Sequence, residues 1–145
     1  MKRKSFAIGI ALLTATAALA HQGVQNPAVK ARMDGMSVIA ENMKTIGLMA
    51  KGTNEFDAAL ARSAAAAIAE HAAAAPALFE SNETDPKSEA RPEIWTNFDD
   101  FVLKATELET VANGLSTSIN DKSDLRSAMR SLGTTCKACH AIYRD

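Results

Sequence analysis

The sequence predicts an all-α fold, an antiparallel up-down-up-down four-helix bundle, on three observations. Four stretches beyond residue 20 repeat apolar residues at three- and four-residue spacing, which gathers them on one face of a helix. Mostly short links join those stretches, as antiparallel neighbours require. Strand signals are absent. A chain of 145 residues with 47% hydrophobic and 23% charged residues is one domain's worth, with enough apolar side chains for a folded core.

The first stretch opens at Asn26-Pro27, an N-cap residue followed by proline at the first helical position, and closes at Lys51-Gly52. Val29, Met36, Ile39, Met43, Ile46 and Ala50 form its apolar face. The second begins around Asn54–Asp57 and is very rich in alanine, with a seam running from Phe56 and Leu60 to Ala75 and Leu78. Small side chains favour the helix and allow close approach by a neighbour, while Pro76 should kink it or end its regular hydrogen bonding. The polar SNETDPKSEARP is a loop. A third helix is expected from about Glu93 to between Asn113 and Ser118, with Ile94, Phe98, Phe101, Ala105 and Leu108 on its face. Ser123 is the expected cap of the last, whose stripe is Leu125, Met129, Leu132, Cys136, Cys139 and Tyr143.

Residues 1–20, MKRKSFAIGIALLTATAALA, stand apart from the domain at 21–145. Three basic residues, an apolar run from Phe6 to Leu13 and a small-x-small site at Ala18-Leu19-Ala20 read as a secretory signal peptide, leaving His21 as the mature N-terminus. An uncleaved anchor is the alternative. The run is too short to span a membrane and no later stretch could, so a soluble, periplasmic protein is expected. Without Lys2, Arg3 and Lys4, 13 basic residues face 17 acidic ones, a net charge of −4. An acidic chain with no basic stripe is unsuited to nucleic acid and better suited to a basic partner.

Both cysteines fall in the closing TTCKACHAIYRD. Cys136-x-x-Cys139-His140 is the pattern of covalent c-type haem attachment. One helical face brings the two thiols to two vinyl groups of one porphyrin, and His140 can offer a nitrogen to the iron as proximal ligand. Alanine-rich helices would leave room for a flat cofactor, although such bundles also pack without one. Three other readings compete. A disulfide within a helix would be strained. Redox-active pairs usually sit at a helix N-terminus, whereas this one is near a C-terminus. A zinc site needs a fourth ligand, and His21 and His71 are the other histidines available.

With CKACHAIYR at the end, ARPEIW before the third helix and R-M-D-G-M at Arg32–Met36, the mature chain resembles the cytochrome c-prime family, including its six-coordinate low-spin branch. Cytochrome c-prime is itself a standard example of the up-down-up-down bundle. The resemblance implies one haem c per chain, with Cys136 and Cys139 as thioether donors and His140 as proximal ligand. It also implies Arg32 against a haem propionate, Arg144 as a basic group on the proximal side, and Met36 on the distal side as candidate sixth ligand. Trp95 is expected against the bundle or the haem edge.

The function expected is electron carriage by the haem iron with unidentified redox partner proteins and no substrate transformed, and no nucleophile–base constellation in the chain contradicts this. One alternative is a five-coordinate, high-spin haem that binds nitric oxide or carbon monoxide; another is a helical interaction module without haem, which free or disulfide-bonded cysteines would imply. Family members also pair as homodimers through their first two helices, which the resemblance makes an expectation here.

Overall fold

Residues 23–145 are described by the computed structural model, and the expected signal peptide and His21 lie outside the described residues. The helices are α1 (Pro27–Lys51), α2 (Ala58–Leu78), α3 (Glu93–Thr96), α4 (Phe98–Ser118) and α5 (Asp124–Tyr143). The four long ones form the predicted bundle. α1 packs on α2, α2 on α4, α4 on α5, and α5 closes the ring against α1, while diagonal pairs stay apart. The faces that α5 makes with α1 and α4 are thinner than those around α2. Among the described residues the isolated pairing of Ala90 with Arg144 is the sole β-bridge.

Local chemistry sets the helix ends. Asn26 Oδ1 accepts from the backbone N–H of Ala28 at 2.8 Å and Val29 at 3.1 Å, satisfying donors that a helix start leaves orphaned. Gly52 ends α1 at φ 75°, a left-handed conformation that costs glycine little. Asp57 caps α2 through the Leu60 N–H. Pro76 lies in the last turn of α2, which ends two residues later as its missing donor dictates. Six of the seven buried residues of α2 are alanine, and this smooth surface lets α1 and α4 approach closely.

Two expectations need correcting. The third helix is not continuous from Glu93, because Asn97 at φ −130°, ψ 45° separates α3 from α4. Ile94 is fully buried and the Trp95 Nε1–H donates to Phe79 O at 2.8 Å, so the turn carrying them follows the preceding loop rather than the axis of α4. The three-to-four spacing Ile94–Phe98–Phe101 hides this break. At α5, Ser123 occupies the cap position but its side chain makes no cap bond. Its hydroxyl and N–H both turn back to Asp121 Oδ1, while Asp124 Oδ2 accepts from the N–H groups of Asn120 and Asp121.

The core divides in two. Ile39, Ile46, Met49, Ile68, Leu125 and Leu132 centre the larger part. Phe79, Ile94, Phe101 and Tyr143 form the smaller, aromatic part beside the long loop. That loop is pinned to the start of α1 by Asp85, whose carboxylate accepts from the N–H groups of Lys87, Gln25 and Asn26 at 2.9–3.1 Å. Those donors, Lys87 first, hold its carboxyl below its ordinary value. A depressed carboxylate stabilises the fold above its unfolded pKa, and this contribution disappears as pH falls through the folded one. Asp85→Asn is therefore expected to melt earlier than the parent at neutral pH, with the difference shrinking below about pH 4. Melting curves over that range that never converge would discount the charge.

Candidate functional site

Between α1, α4 and α5 the bundle opens into a cavity of about 580 Å³. It lies where the ring is thinnest, and small residues on the α2 side, Ala72 and Ala75, leave it deep. Cys136, Cys139 and His140 all stand on its α5 wall. Met33, Met36 and Met43 stand on its α1 wall, with Phe79 and Phe101 from the aromatic cluster. The volume falls within the range of about 300–1,000 Å³ typical of small-molecule and cofactor sites.

Both cysteines are half-buried free thiols. Burial raises the pKa of Cys136 and, together with the neighbouring Cys136 sulfur, pushes Cys139 up to about 11. They are therefore neutral thiols, unlike the activated thiolate of a redox-active pair. Among the described residues, no group of three or more His, Cys, Asp or Glu side chains converges as a metal site, and His71 is half-buried on α2 away from the cavity wall. At the cavity rim, burial and then the Arg144 charge lower the pKa of His140. The neutral imidazole that results retains a nitrogen lone pair.

Arg144 stands beside His140 at the rim, its guanidinium paired with Glu89. The chain end is held there by Arg91 N–H on Tyr143 O at 3.0 Å, Asp145 N–H on Glu89 O at 3.0 Å, and Arg91 Nε on Asp145 Oδ1 at 2.9 Å. These bonds bring loop residues 87–90 onto the cavity wall. Tyr143 is buried, edge-on to Phe101, and its hydroxyl donates to Asp100 Oδ2 at 2.6 Å. Burial and that carboxylate push its pKa up to about 12, so it stays a neutral wall residue. Its place in the α5 stripe was legible; the partner on α4 was not.

Arg32 lines the same cavity yet is only 3% exposed. Its Nε donates to Leu78 O at 2.8 Å, Nη1 to Glu83 O at 2.7 Å and Nη2 to Ser81 O. The guanidinium also lies over Phe79, 4.8 Å from the ring centroid, and over Trp95 at 5.4 Å. Burial lowers its pKa and Glu83 opposes this, but a guanidinium remains charged. Its five N–H groups outnumber these three carbonyls, which leaves capacity for a carboxylate on the cavity side. Trp95 itself packs with the Phe79 cluster.

The donor set suits a covalently held haem: two neutral thiols three residues apart, an imidazole beside them, and a largely apolar cavity with thioethers on another wall. Comparison with known proteins agrees. The family model described as Cytochrome C' matches residues 27–144. Cytochrome c-556 of Agrobacterium fabrum is 36% identical over 117 residues, 80% of this chain and 80% of that protein. The fold superposes on cytochrome c' from Rhodopseudomonas palustris with a TM-score of 0.77 at 29% identity, covering 83% of this chain and 98% of that one. An NMR-validated structural model for oxidized cytochrome c556 of R. palustris gives a TM-score of 0.76 at 28% identity, with the same coverage.

Proposed function

The chain belongs to the cytochrome c' family, whose members carry covalently bound haem c, and from that premise we propose that it is a periplasmic electron carrier. The observation that favours carriage over gas binding is the position of Met36. Its thioether lies half-buried on the wall of the cavity that also holds Cys136, Cys139 and His140. In this reading Cys136 and Cys139 hold the cofactor by thioether bonds, His140 is the proximal ligand and Met36 the distal one. When bound, the haem supplies one-electron redox chemistry, with a potential raised by methionine ligation.

The remaining residues orient the cofactor and exclude water. Phe79, Phe101 and Tyr143 close one end of the cavity with apolar surface. The Arg144–Glu89 pair and the bridge beside it hold the loop against the rim next to His140. No helix among the described residues is long and apolar enough to cross a membrane, in keeping with an exported carrier.

Absorption spectra of the holoprotein in both oxidation states test this reading. A low-spin spectrum in each state, with slow carbon monoxide uptake by the ferrous form, is the expected result. A high-spin ferrous spectrum with immediate carbon monoxide binding would instead assign the protein to gas binding.

A further inference from the structure

A second depression, about 410 Å³, runs along the outside of the bundle between α4 and α5. Leu103, Thr106, Glu107, Thr110 and Val111 form its α4 side and Thr135 its α5 side. Thr135 also lines the large cavity, so one side chain separates the groove from the candidate haem site. Cys139 follows Thr135 by one helical turn, close enough to Lys104, Asp100 and Glu107 for their charges to act on its thiol.

The surface around this thin wall has a distinct composition. Leu103 is 52% exposed and Ile142 39%, while the third large exposed hydrophobic among the described residues, Leu60, stands apart on α2. Ser131, Thr135, Ala138 and Ile142 follow one another at three- and four-residue steps, giving α5 an uncharged stripe on this side. Its basic residues Arg126, Arg130 and Lys137 fall, by the same register, on the opposite side of the helix. By helical register Asp99, Asp100 and Glu107 lie on the groove side of α4 with Lys104, a net charge of −2 for these four, while Glu109 falls on another side of the helix. Lys104, within 4 Å of Asp100 and Glu107, is turned inward with its side chain 19% exposed.

We propose that this groove is the docking face for a basic electron-transfer protein. The inference rests on the electron-carrier reading above and adds where the electron crosses. An exposed leucine and isoleucine provide a small apolar contact, and the acidic α4 flank draws in a positively charged partner. Transient electron-transfer interfaces are of the small class, below about 1,200 Å², so a patch of this kind is sufficient. A second copy of the chain fits less well, because its groove brings the same acids and only the inward-turned Lys104 to meet them.

The test uses the holoprotein in its ferrous form and, as oxidant, ferric mitochondrial cytochrome c, a basic electron-transfer protein. Stopped-flow rate constants are measured over a range of salt. The double variant Asp99→Lys/Glu107→Lys is expected to react about tenfold more slowly at low salt and to lose most of its salt dependence. Glu41→Lys/Glu70→Lys, which makes the same charge change at exposed sites on α1 and α2, should alter the rate less than about twofold. Leu103→Ala should slow the reaction at every salt concentration, with haem content and midpoint potential unchanged.

Equal losses in the two double variants would overturn the proposal, since net charge alone would then govern the encounter. So would unchanged rates in the groove variants, or a wild-type dimer in sedimentation that Leu103→Ala dissociates without altering electron transfer. Each of those outcomes leaves the electron-carrier reading standing. A wild-type ferrous protein that resists oxidation by cytochrome c at every salt concentration yet binds carbon monoxide immediately would instead remove that reading and the docking face with it.

Discussion

Met36→Ala is expected to turn the ferrous haem from low-spin to high-spin and open the iron to carbon monoxide. Three methionines of α1 reach the cavity, but they are not equivalent. Met36 packs against both the aliphatic and the aromatic parts of the core, Met43 against the aliphatic part alone, and Met33 is in neither cluster. Met36 therefore stands at the level where the two clusters meet, which is where the cavity opens. A ligand bound about 99% of the time lowers the apparent affinity of a competing gas about a hundredfold, and alanine removes that competition. Met33→Ala and Met43→Ala should leave spin state and gas uptake unchanged. Met36→Leu separates ligation from packing, because leucine preserves most of the buried volume but has no sulfur to donate. High-spin spectra from both Met36 variants, with the leucine protein the more stable, are the expected pattern; a low-spin Met36→Leu protein would move the sixth ligand elsewhere.

Much of this was legible in the sequence because the relevant interactions are local. The bundle follows from periodicity, and the apolar stripes became buried or half-buried faces except at Leu60, which the α2 seam includes but the structure leaves 50% exposed. The Cys136–Cys139–His140 pattern is local too, so its placement on a single cavity wall follows from the helix. Contacts between residues far apart in the chain were not legible. Nothing near Arg32 in sequence reveals that Leu78, Ser81 and Glu83 present carbonyls to it from 46 to 51 residues away. Tyr143 likewise finds Asp100 across 43 residues. Asn97 illustrates a different failure: the apolar spacing runs straight through it, while the long-range bond from Trp95 to Phe79 and the burial of Ile94 determine where the helix divides. At Ser123 the cap signal was present, but its hydroxyl donates to Asp121 Oδ1 and accepts no N–H from the first turn of α5.

Arg32→Ala is expected to destabilise the holoprotein by about 3 kcal/mol, because it removes three charge-assisted hydrogen bonds from a buried position. Water can replace the guanidinium at the carbonyls of the exposed residues Ser81 and Glu83, which limits the loss, whereas Leu78 O at the end of α2 is less accessible. Arg62→Ala is the comparison: its guanidinium makes one bond, to Ile119 O at 2.9 Å, and losing it should cost about 1 kcal/mol. Arg32 ties α1 to the segment that carries Phe79 and the start of the long loop, so its removal should also loosen the loop. Trypsin reports this directly, since Lys87 is exposed within the loop, and cleavage after Lys87 should accelerate in Arg32→Ala but not in Arg62→Ala. Arg32→Lys should restore little, because an ammonium cannot span three carbonyls with the planar fork of a guanidinium. The midpoint potential separates the clamp from the propionate role. Loss of a positive charge at the cavity wall favours the ferric state and lowers the potential in either case. Faster cleavage after Lys87 together with that drop makes the loop clamp the main role of Arg32; a lowered potential with unchanged stability and unchanged cleavage would make it chiefly the partner of a haem carboxylate.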